Sequence, residues 1–421
     1  MLDISVRAKY VVASAEQIYS PGFIQIRDGV IATVGSGSNV PAEIDLPESV
    51  IIPGLINCHC HLEFSDIRVP IPPGDSFPDW ISAVIKHRLS LISELSGEEL
   101  QRHRQETFKK GIQEANCTGS AVVADIVSVP WQPNDLQSSL SQVTGANTSW
   151  PTTRLVVLPE ILGLNEERFT QTFTWAEKLL ANSKDLRSEL LEIGLSPHAP
   201  YSVDIAMLRS ALQKVNLERT MAIHVAESTD ELDYLNTGQG AFRRSFDRLK
   251  LPVLNRRPNI RDMLTILASA ARGLVIHGNF LQPNDIEFIQ QKPHMSVVYC
   301  PRTHSHFAHP KHPCMTLFRH GIRTVLGTDS RASNPDLNLW SEVVEARAQH
   351  ADITPELAFN MVTKHAAEAL GIEANYGTLA VGNVGFLNVA KAPQGCSVES
   401  LLNELTQTPL TWQPLNQLTN R

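Results

Sequence analysis

Two histidines one residue apart, His59 and His61, close an apolar run that begins at Ile51. Because side chains alternate along a β-strand, both imidazoles would project to one side, and Cys58 and Cys60 to the other. Two neutral imidazoles at this spacing can share one metal ion such as zinc, iron or nickel. Zinc thiolates are not expected, since the cysteines face away from the histidines. The pair alone is also compatible with ordinary buried histidines, so the metal interpretation depends on partners further along the chain.

Candidate partners stand at the ends of two later apolar runs. His224 ends the run before Glu227, and Asp329 lies in the segment Leu326–Ser330. Three imidazoles and one carboxylate suit a catalytic zinc or iron(II) ion with an open position for water. We therefore expect one divalent metal ion, zinc before iron, held by His59, His61, His224 and Asp329.

Hydrolysis at a ring carbon also needs a proton shuttle and a group that holds the attacking hydroxide. Glu227 can turn toward the metal only if the strand that carries His224 stops between them, and Ser228 makes such a stop plausible. We assign proton transfer to Glu227. His277 closes another apolar run and is expected to hydrogen-bond the hydroxide or the developing oxyanion, with Asp329 helping to position it.

Alternating strand and helix patterns in the middle of the chain predict the elements that would carry these residues. The strand candidates are Val50–Asn57, Ala121–Ile126, Arg154–Pro159, Leu191–Ser196, Thr220–Val225, Gly273–Gly278, Met295–Tyr299 and Arg323–Gly327. Helical patterns lie between most of them, as in Asn165–Ser183, Asp204–Leu217 and Pro283–Gln291. Eight such units predict an α/β protein with a (β/α)₈ barrel, whose strand ends form one catalytic face.

Both ends of the chain have the sequence pattern of a small β-rich module. Residues 1 to about 50 alternate apolar and polar in short runs between Gly and Pro, and a similar texture returns after Gly377. We predict three segments: 1–52 and 374–421 pair into one sheet domain, and 53–373 forms the barrel. The 50-residue spacing from Glu227 to His277 exceeds a simple crossover. The insertion 228–271 is open to interpretation as a lid, a substrate wall, a subunit contact or a surface insertion.

Taken together, these motifs resemble the amidohydrolase superfamily, in particular its cytosine/adenosine deaminase and chlorohydrolase branch. The motifs are Pro53-Gly54-Leu55-Ile56-Asn57 with His59-x-His61, then His224-x-x-Glu227, His277 and Gly327-Thr328-Asp329-Ser330. The resemblance implies a distorted (β/α)₈ TIM barrel, a composite β-sandwich from the two termini and a single divalent metal. It implies the same ligand set and the same roles for Glu227 and His277. Strand four carries Ser196-Pro197-His198 and no lysine, which argues against the binuclear members of the superfamily.

Substrate contacts are suggested at five positions. By the resemblance, His198 matches a segment that contacts substrate, although a role in capping strand four is also open. Trp80 could wall an aromatic substrate or anchor a buried helix, and Glu160, like Glu63, could hold ring nitrogens or ribose hydroxyls or pair with an arginine. Where many relatives read Asn-Pro-x-Ser-Asn, this chain departs, and Arg302 and His304 open a histidine-rich segment. That segment, with His306, His309 and His312, could be a second metal site or a loop of solvated or substrate-facing histidines.

Composition and charge limit the classes of molecule that this protein is expected to bind. The 421 residues carry a net charge of −8 with no clustered Lys/Arg stripe, which disfavours nucleic acid polymers. Residues 1–10 lack the apolar core of a signal peptide, and no run reaches the ~18 apolar residues of a membrane span. Six scattered cysteines suit reduced thiols. We expect a cytoplasmic protein with a small heterocyclic substrate, no membrane partner and possible homo-oligomers.

The leading functional hypothesis is a metal-dependent aminohydrolase that replaces the exocyclic amine of a purine-like ring with oxygen and releases ammonia. By resemblance, 5′-modified adenosines such as S-adenosylhomocysteine, methylthioadenosine or aminodeoxyfutalosine are the preferred substrates. The alternatives are hydrolysis of another C–N or C–halogen bond, on a triazine, guanine or pterin, and a non-catalytic barrel stabilised by metal.

Overall fold

Alternating strands and helices make up most of the chain, as the computed structural model shows for residues 3–128, 131, 150–181, 190–253 and 256–419. The strands are β1 (Asp3–Ser14), β2 (Gln17–Tyr19), β3 (Gly22–Arg27), β4 (Val30–Ser36), β5 (Ile44–Pro53), β6 (Leu55–Cys60), β7 (Ser120–Val127), β8 (Arg154–Ile161), β9 (Leu190–Ile193), β10 (Ser196–Pro197), β11 (Thr220–Val225), β12 (Arg272–His277), β13 (Met295–Tyr299), β14 (Arg323–Leu326), β15 (Leu387–Lys391) and β16 (Gln413–Pro414). The α-helices are α1 (Phe77–Glu94), α2 (Gly97–Cys117), α3 (Glu166–Ala181), α4 (Ile205–Leu212), α5 (Thr229–Thr237), α6 (Gly240–Leu249), α7 (Ile260–Leu267), α8 (Pro283–Gln290), α9 (Pro301–His306), α10 (Cys314–Arg319), α11 (Leu339–Gln349), α12 (Pro355–Asn360), α13 (Lys364–Leu370), α14 (Val398–Gln407) and α15 (Leu415–Thr419).

The two ends of the chain share one sheet, in the order β16-β15-β5-β1-β3-β4 with β2 paired to β1. Strand β15 pairs antiparallel with β5, with Val389 opposite Ile51, which joins the C-terminal segment to the N-terminal one. The apolar side chains of β1 and β3 that alternate inward, such as Val6 and Ile24, are fully buried. The expected composite β domain is therefore present, while its exact boundaries, 1–52 and 374–421, stay a prediction.

Parallel strands in the middle of the chain close into a barrel. One sheet runs β6-β7-β8 with β9 and β10 on β8, and the other runs β11-β12-β13-β14. Parallel bridges join the two sheets at both edges, between Leu195 and Met221 and between Cys60 and Asp329. All six residues of β6 and all eight of β7 are buried, as the interior of such a barrel requires. The predicted α/β fold with a parallel barrel is confirmed.

Two of the predicted strands are interrupted by glycine. The run Val50–Asn57 is two strands, because β5 belongs to the terminal sheet and β6 to the barrel, with Gly54 at the switch. A Cβ at Gly54 would lie 2.3 Å from the Cβ of Ala121, so only glycine allows this approach. The fourth predicted strand is likewise split, since a Cβ at Gly194 would lie 2.2 Å from the Thr220 carbonyl oxygen.

The helices between the strands begin close to their predicted starts, and one of them ends well before its predicted end. Asp204 caps α4 by accepting hydrogen bonds from the amides of Ala206 and Met207, and the helix ends at Leu212 rather than Leu217. The pattern predicted over Asn165–Ser183 is α3, and its last two positions lie outside the described residues. Within the described ranges, no helix combines the length and apolarity needed to cross a bilayer.

Candidate active site

The residues predicted to bind metal or to take part in catalysis lie close together where the barrel strands end. Ala226, His277 and Asp329 each adopt a left-handed backbone conformation, with φ of 53°, 65° and 56°. Such values are uncommon for residues other than glycine and cost of order 1 kcal/mol or more each. Ala226 directly follows β11, His277 is the last residue of β12, and Asp329 lies three residues after β14. Backbone strain is therefore concentrated at this edge of the barrel, as is typical of active sites.

Five side chains form a compact cluster of possible metal ligands. Ligand atoms of His59, His61 and His224 all lie within 4.8 Å of one another, and so do those of His59, His277 and Asp329. The Asp329 Oδ1 is 3.4 Å from the His59 Nε2 and 3.9 Å from the His61 Nε2. All five side chains are buried. Burial lowers the pKa of His59 and of His61 well below the ordinary value, so both imidazoles are neutral, as metal ligands must be.

The hydrogen bonding of these imidazoles fits a divalent metal ion. Both ring nitrogens of His59 and the Nδ1 of His61 are buried without a hydrogen-bond partner. Leaving a buried polar atom unpaired costs about 1–3 kcal/mol, which a bound cation at Nε2 of His59 would offset. The Nδ1–H of His224 donates to the His198 carbonyl oxygen at 3.0 Å, which leaves Nε2 facing the cluster. The residues present therefore suit a metal ion with imidazole and carboxylate ligands.

Glu227 sits beside this cluster in a position suited to proton transfer. Its Oε1 is 3.3 Å from the His277 Nε2. Burial, with the nearby carboxylates of Asp329 and Glu231, raises the pKa of Glu227 well above its ordinary value. Its amide donates to the Glu231 Oε2 at 2.7 Å, and its carbonyl oxygen accepts from the Asn279 Nδ2 at 2.8 Å. The sequence analysis required the strand to stop between His224 and Glu227. Hydrogen bonds to the amide and to the carbonyl oxygen of Glu227 hold the chain in that turn.

A single cavity of about 690 Å³ opens from this cluster. We call its wall at the strand ends, formed by His61, His224, Glu227, His277 and Asp329, the inner end. The cavity is of the size that binds small organic ligands.

Three of the predicted substrate contacts, His198, Glu160 and Trp80, also line this cavity. Trp80 additionally stacks on Phe77, with ring centroids 5.7 Å apart, and meets Phe307 edge-on at 5.0 Å. It therefore serves both as a wall and as an anchor of α1.

Next to the inner end, Glu63 and Glu160 form a polar group with two residues that the sequence analysis missed, Arg88 and Ser128. Arg88 of α1 donates to a Glu63 carboxylate oxygen and, at 3.2 Å, to the Ser128 Oγ. The Ser128 Oγ lies 2.8 Å from a Glu160 oxygen and 3.0 Å from a Glu63 oxygen, and the other Glu160 oxygen is 3.8 Å from the His198 Nε2. Burial lowers the pKa of His198 to about 4, so this ring is neutral. No local sequence signal marks Arg88 or Ser128, because each gains its role only from packing against distant strand ends.

Arg302 and His304 are not among the described residues that line the cavity, which differs from our expectation. The Arg302 Nε donates to the buried Glu342 Oε1 at 2.7 Å, so the Arg302 guanidinium is paired with a buried carboxylate. His304 lies between the Asn279 Oδ1, at 3.2 Å, and the Pro310 carbonyl oxygen, at 2.6 Å. Both side chains hold the framework behind the site.

The histidine-rich segment supports the inner end from behind. The His312 Nε2–H donates to the His277 carbonyl oxygen at 2.9 Å, and the His312 ring stacks on Tyr299 with centroids 4.0 Å apart. No cluster of possible metal ligands among the residues described includes a histidine of this segment. The segment therefore braces the left-handed turn at His277.

The insertion 228–271 contributes a wall of the cavity. Phe242, Ser245, Phe246 and Leu249 of α6 all line it. The Ser245 Oγ lies 3.3 Å from the Ser82 Oγ of α1, so the two helices pack across the cavity mouth. Of the interpretations left open by the sequence, the structure supports the substrate wall.

The sequence model of the amidohydrolase family matches residues 50–408, which include every residue of the inner end. This chain belongs to the amidohydrolase family. The resemblance inferred from the motifs is thereby confirmed.

Individual relatives of this amidohydrolase cover most of its length. The 5-methylthioadenosine/S-adenosylhomocysteine deaminase of Saccharophagus degradans is 26% identical over 419 residues, covering 93% of this chain and 85% of that protein. The aminodeoxyfutalosine deaminase of Nitratiruptor sp. is 25% identical, over 90% of this chain and 88% of that one. An adenosine deaminase from Xanthomonas campestris, crystallised with bound zinc, superposes with a TM-score of 0.74 at 21% identity, covering 98% of this chain and 90% of that chain. At 21% identity, this structural similarity shows that the two proteins share a fold.

Proposed function

We propose that this amidohydrolase is a metal-dependent deaminase, which replaces the exocyclic amine of an adenosine derivative with oxygen and releases ammonia. The observation that carries the proposal is the juxtaposition of a buried, neutral histidine cluster with Glu227, whose carboxyl has a raised pKa and lies 3.3 Å from the His277 Nε2. Relatives that match nearly the whole chain are named for the deamination of adenosine derivatives, which supports the same reaction here.

We assign the metal ligands to His59, His61, His224 and Asp329. When bound there, a divalent ion would lower the pKa of a water molecule to about 7 and make it a nucleophile at neutral pH. Zinc is our choice of ion, because imidazole-rich sites suit it and a structure with the same fold holds it. Iron(II) shares these ligand preferences and is the alternative.

Glu227 has the properties that the proton transfers require. Because its pKa is raised, the carboxyl can carry a proton near neutral pH and donate it to a ring nitrogen of the purine. The resulting carboxylate can then take one proton from the attacking water and pass it to the departing amine, and it recovers the second proton of the water as the new C–O bond becomes a carbonyl. In balance, one water is consumed, the C–N bond breaks, a C–O bond forms and one ammonia leaves. We assign to the neutral imidazole of His277 the hydrogen bond to the oxygen that attacks.

The polar group of Glu63, Arg88, Ser128 and Glu160 offers donors and acceptors for the sugar of a nucleoside. The Ser128 hydroxyl has one hydrogen but faces two carboxylates, and the Glu63 oxygen also accepts from Arg88, so a ligand hydroxyl could donate to the Glu160 oxygen. With the purine at the inner end, the ribose hydroxyls would lie within reach of this group. His198 and Trp80 would contact the purine.

A nucleoside panel tests the proposal directly. Purified protein loaded with zinc should release ammonia from adenosine derivatives, with the ultraviolet absorbance change that accompanies loss of the amine. The matched control is His224→Ala, which should release none. Chloride release from a chlorotriazine, without ammonia from any nucleoside, would contradict the proposal and favour hydrolysis of a carbon–halogen bond. A cytoplasmic location and homo-oligomerisation stay predictions.

A further inference from the structure

Exposed hydrophobic side chains are concentrated at the mouth of the catalytic cavity. Nine large hydrophobic side chains are exposed among the described residues, and five of them line this one cavity. We call these five, which are Ile85, Leu89, Ile92, Leu249 and Leu251, the outer arm. The most exposed are Leu89, at 57%, and Ile92, at 51%. Exposed apolar surface that clusters in this way marks a binding surface rather than chance exposure.

Two helices hold the outer arm in place from opposite sides. Ile85, Leu89 and Ile92 recur at helical spacing on α1, while Leu249 ends α6. The first turn of α1 is tied to the insertion, because the Phe77 amide donates to the Asp230 Oδ2 at 2.9 Å. Arg248 of α6 also pairs with Asp79 of α1, at 3.0 Å. These two contacts join the first turn of α1 to the insertion that carries Leu249.

The outer arm is continuous with the part of the cavity that would hold a nucleoside. Arg88, which contacts Glu63 and Ser128 near the strand ends, shares a face of α1 with Ile85 and Ile92, which are three and four residues away and line the same cavity. A ligand whose ribose lies beside Arg88 therefore directs its 5′ substituent toward the outer arm or toward solvent. The arm offers that substituent apolar carbon alone.

The acidic residues that line the cavity leave the ammonium group of a zwitterionic tail without a partner at the outer arm, although Arg88, Arg104 and Arg168 line the cavity as well. Every acidic residue among the described lining residues lies within three positions of the carboxyl end of a barrel strand, at the opposite side from the outer arm. An ammonium group that entered the arm would lose water without gaining an anionic partner, which is costly. An alkyl or aryl group would instead gain from the burial of both surfaces.

Resting on the proposed function, we infer that this amidohydrolase selects adenosine derivatives with a bulky apolar 5′ substituent, and that the outer arm is the site that recognises it. Such a substrate must come from a reaction that attaches an alkyl, aryl or thioether group at the 5′ carbon of adenosine.

Steady-state kinetics with a series of 5′ substituents tests this inference. The series is 5′-deoxyadenosine, 5′-methylthioadenosine, 5′-butylthioadenosine and S-adenosylhomocysteine. We expect kcat/KM to rise about tenfold or more from 5′-deoxyadenosine to 5′-butylthioadenosine, mainly through KM, because added methylenes are buried. S-adenosylhomocysteine should fall about tenfold or more below the butylthio compound. A flat series, or a preference for S-adenosylhomocysteine, would overturn the inference while leaving deamination intact.

Variants of the outer arm test whether its residues cause the preference for a bulky 5′ substituent. In Leu89→Asn/Ile92→Asn, and independently in Leu249→Asn, the advantage of the butylthio over the methylthio compound should fall several-fold. The control Val381→Asn changes an exposed apolar residue that does not line the cavity, and the ratio should stay as in the parent. If the double variant instead converts an oligomer to a monomer in sedimentation velocity with the ratio unchanged, the arm is a subunit contact and the inference fails. If no nucleoside releases ammonia, the proposed function fails as well.

Discussion

The inner end and the outer arm belong to one cavity but are held in place by different means. At the inner end, Glu227 and His277 follow barrel strands, are buried and have their backbones clamped by Glu231, Asn279 and His312. The outer arm lies on α1 and at and just after the end of α6, its side chains are 37–57% exposed, and they have no polar atoms that could be held by hydrogen bonds. Chemistry needs positions accurate to a fraction of an ångström, and the sheet supplies that accuracy. Recognition of an apolar tail tolerates looser placement, so surface helices suffice.

The largest expected effect is that of removing the metal from the inner end. His224→Ala should abolish activity and metal binding, because one of three imidazole ligands is lost. In the parent protein, chelation should stop turnover and lower Tm, since an ion present at a thousand times its Kd contributes about 4 kcal/mol to stability. Metal analysis and thermal unfolding with and without chelator measure both. Full metal occupancy in His224→Ala would exclude this residue as a ligand.

Glu227→Gln should separate proton transfer from metal binding. The amide has nearly the same shape but cannot shuttle a proton, so we expect kcat to fall about 10²- to 10⁴-fold with the metal content unchanged. The exposed Glu218→Gln is the matched control and should behave as the parent. Turnover unchanged in Glu227→Gln would overturn the assignment.

His312→Ala should show how much the brace behind the inner end contributes. Removal of the donor to the His277 carbonyl oxygen frees a strained turn, and misplacement by about 1 Å can cost on the order of 10²-fold. We expect kcat to fall by about 10- to 100-fold with little change in KM. His312→Gln, which keeps a donor, should recover part of the rate. A change confined to KM would mean that His312 acts on substrate rather than on His277.

The smallest expected effect is on the stability of the outer arm. Because Leu89 is 57% exposed, Leu89→Gln should change the free energy of unfolding by no more than about 0.5 kcal/mol. Urea denaturation of the zinc-loaded protein measures this. A loss of 2 kcal/mol or more would show that the arm is packed in the folded protein, and the contrast between the two regions would disappear.

The sequence alone was enough to predict the barrel and most of the inner end. Buried parallel strands appear as short apolar runs, and their ends are marked by the first ionisable residues, such as His59, His224 and His277. Parallel strands bring their carboxyl ends to one face whatever the connections between them, so distant residues could be grouped without coordinates. The metal ligands and the roles of Glu227 and His277 remain assignments for the experiments above.

Only the tertiary structure decided what surrounds that cluster. Nothing in the sequence distinguishes Arg302, whose charge is paired with Glu342, from Arg88, which reaches the cavity. Nor does the helical stripe of α1 reveal that Leu89 faces an open cavity and not a packed core. The alternation of side chains along a strand is local, so the residues at a strand end can be identified from nearby sequence. The partner of a helix depends instead on packing between segments far apart in the chain, as where Ser82 meets Ser245. That packing is settled by the whole fold at once, which is why the cluster at the strand ends could be predicted from the sequence and the outer arm could not.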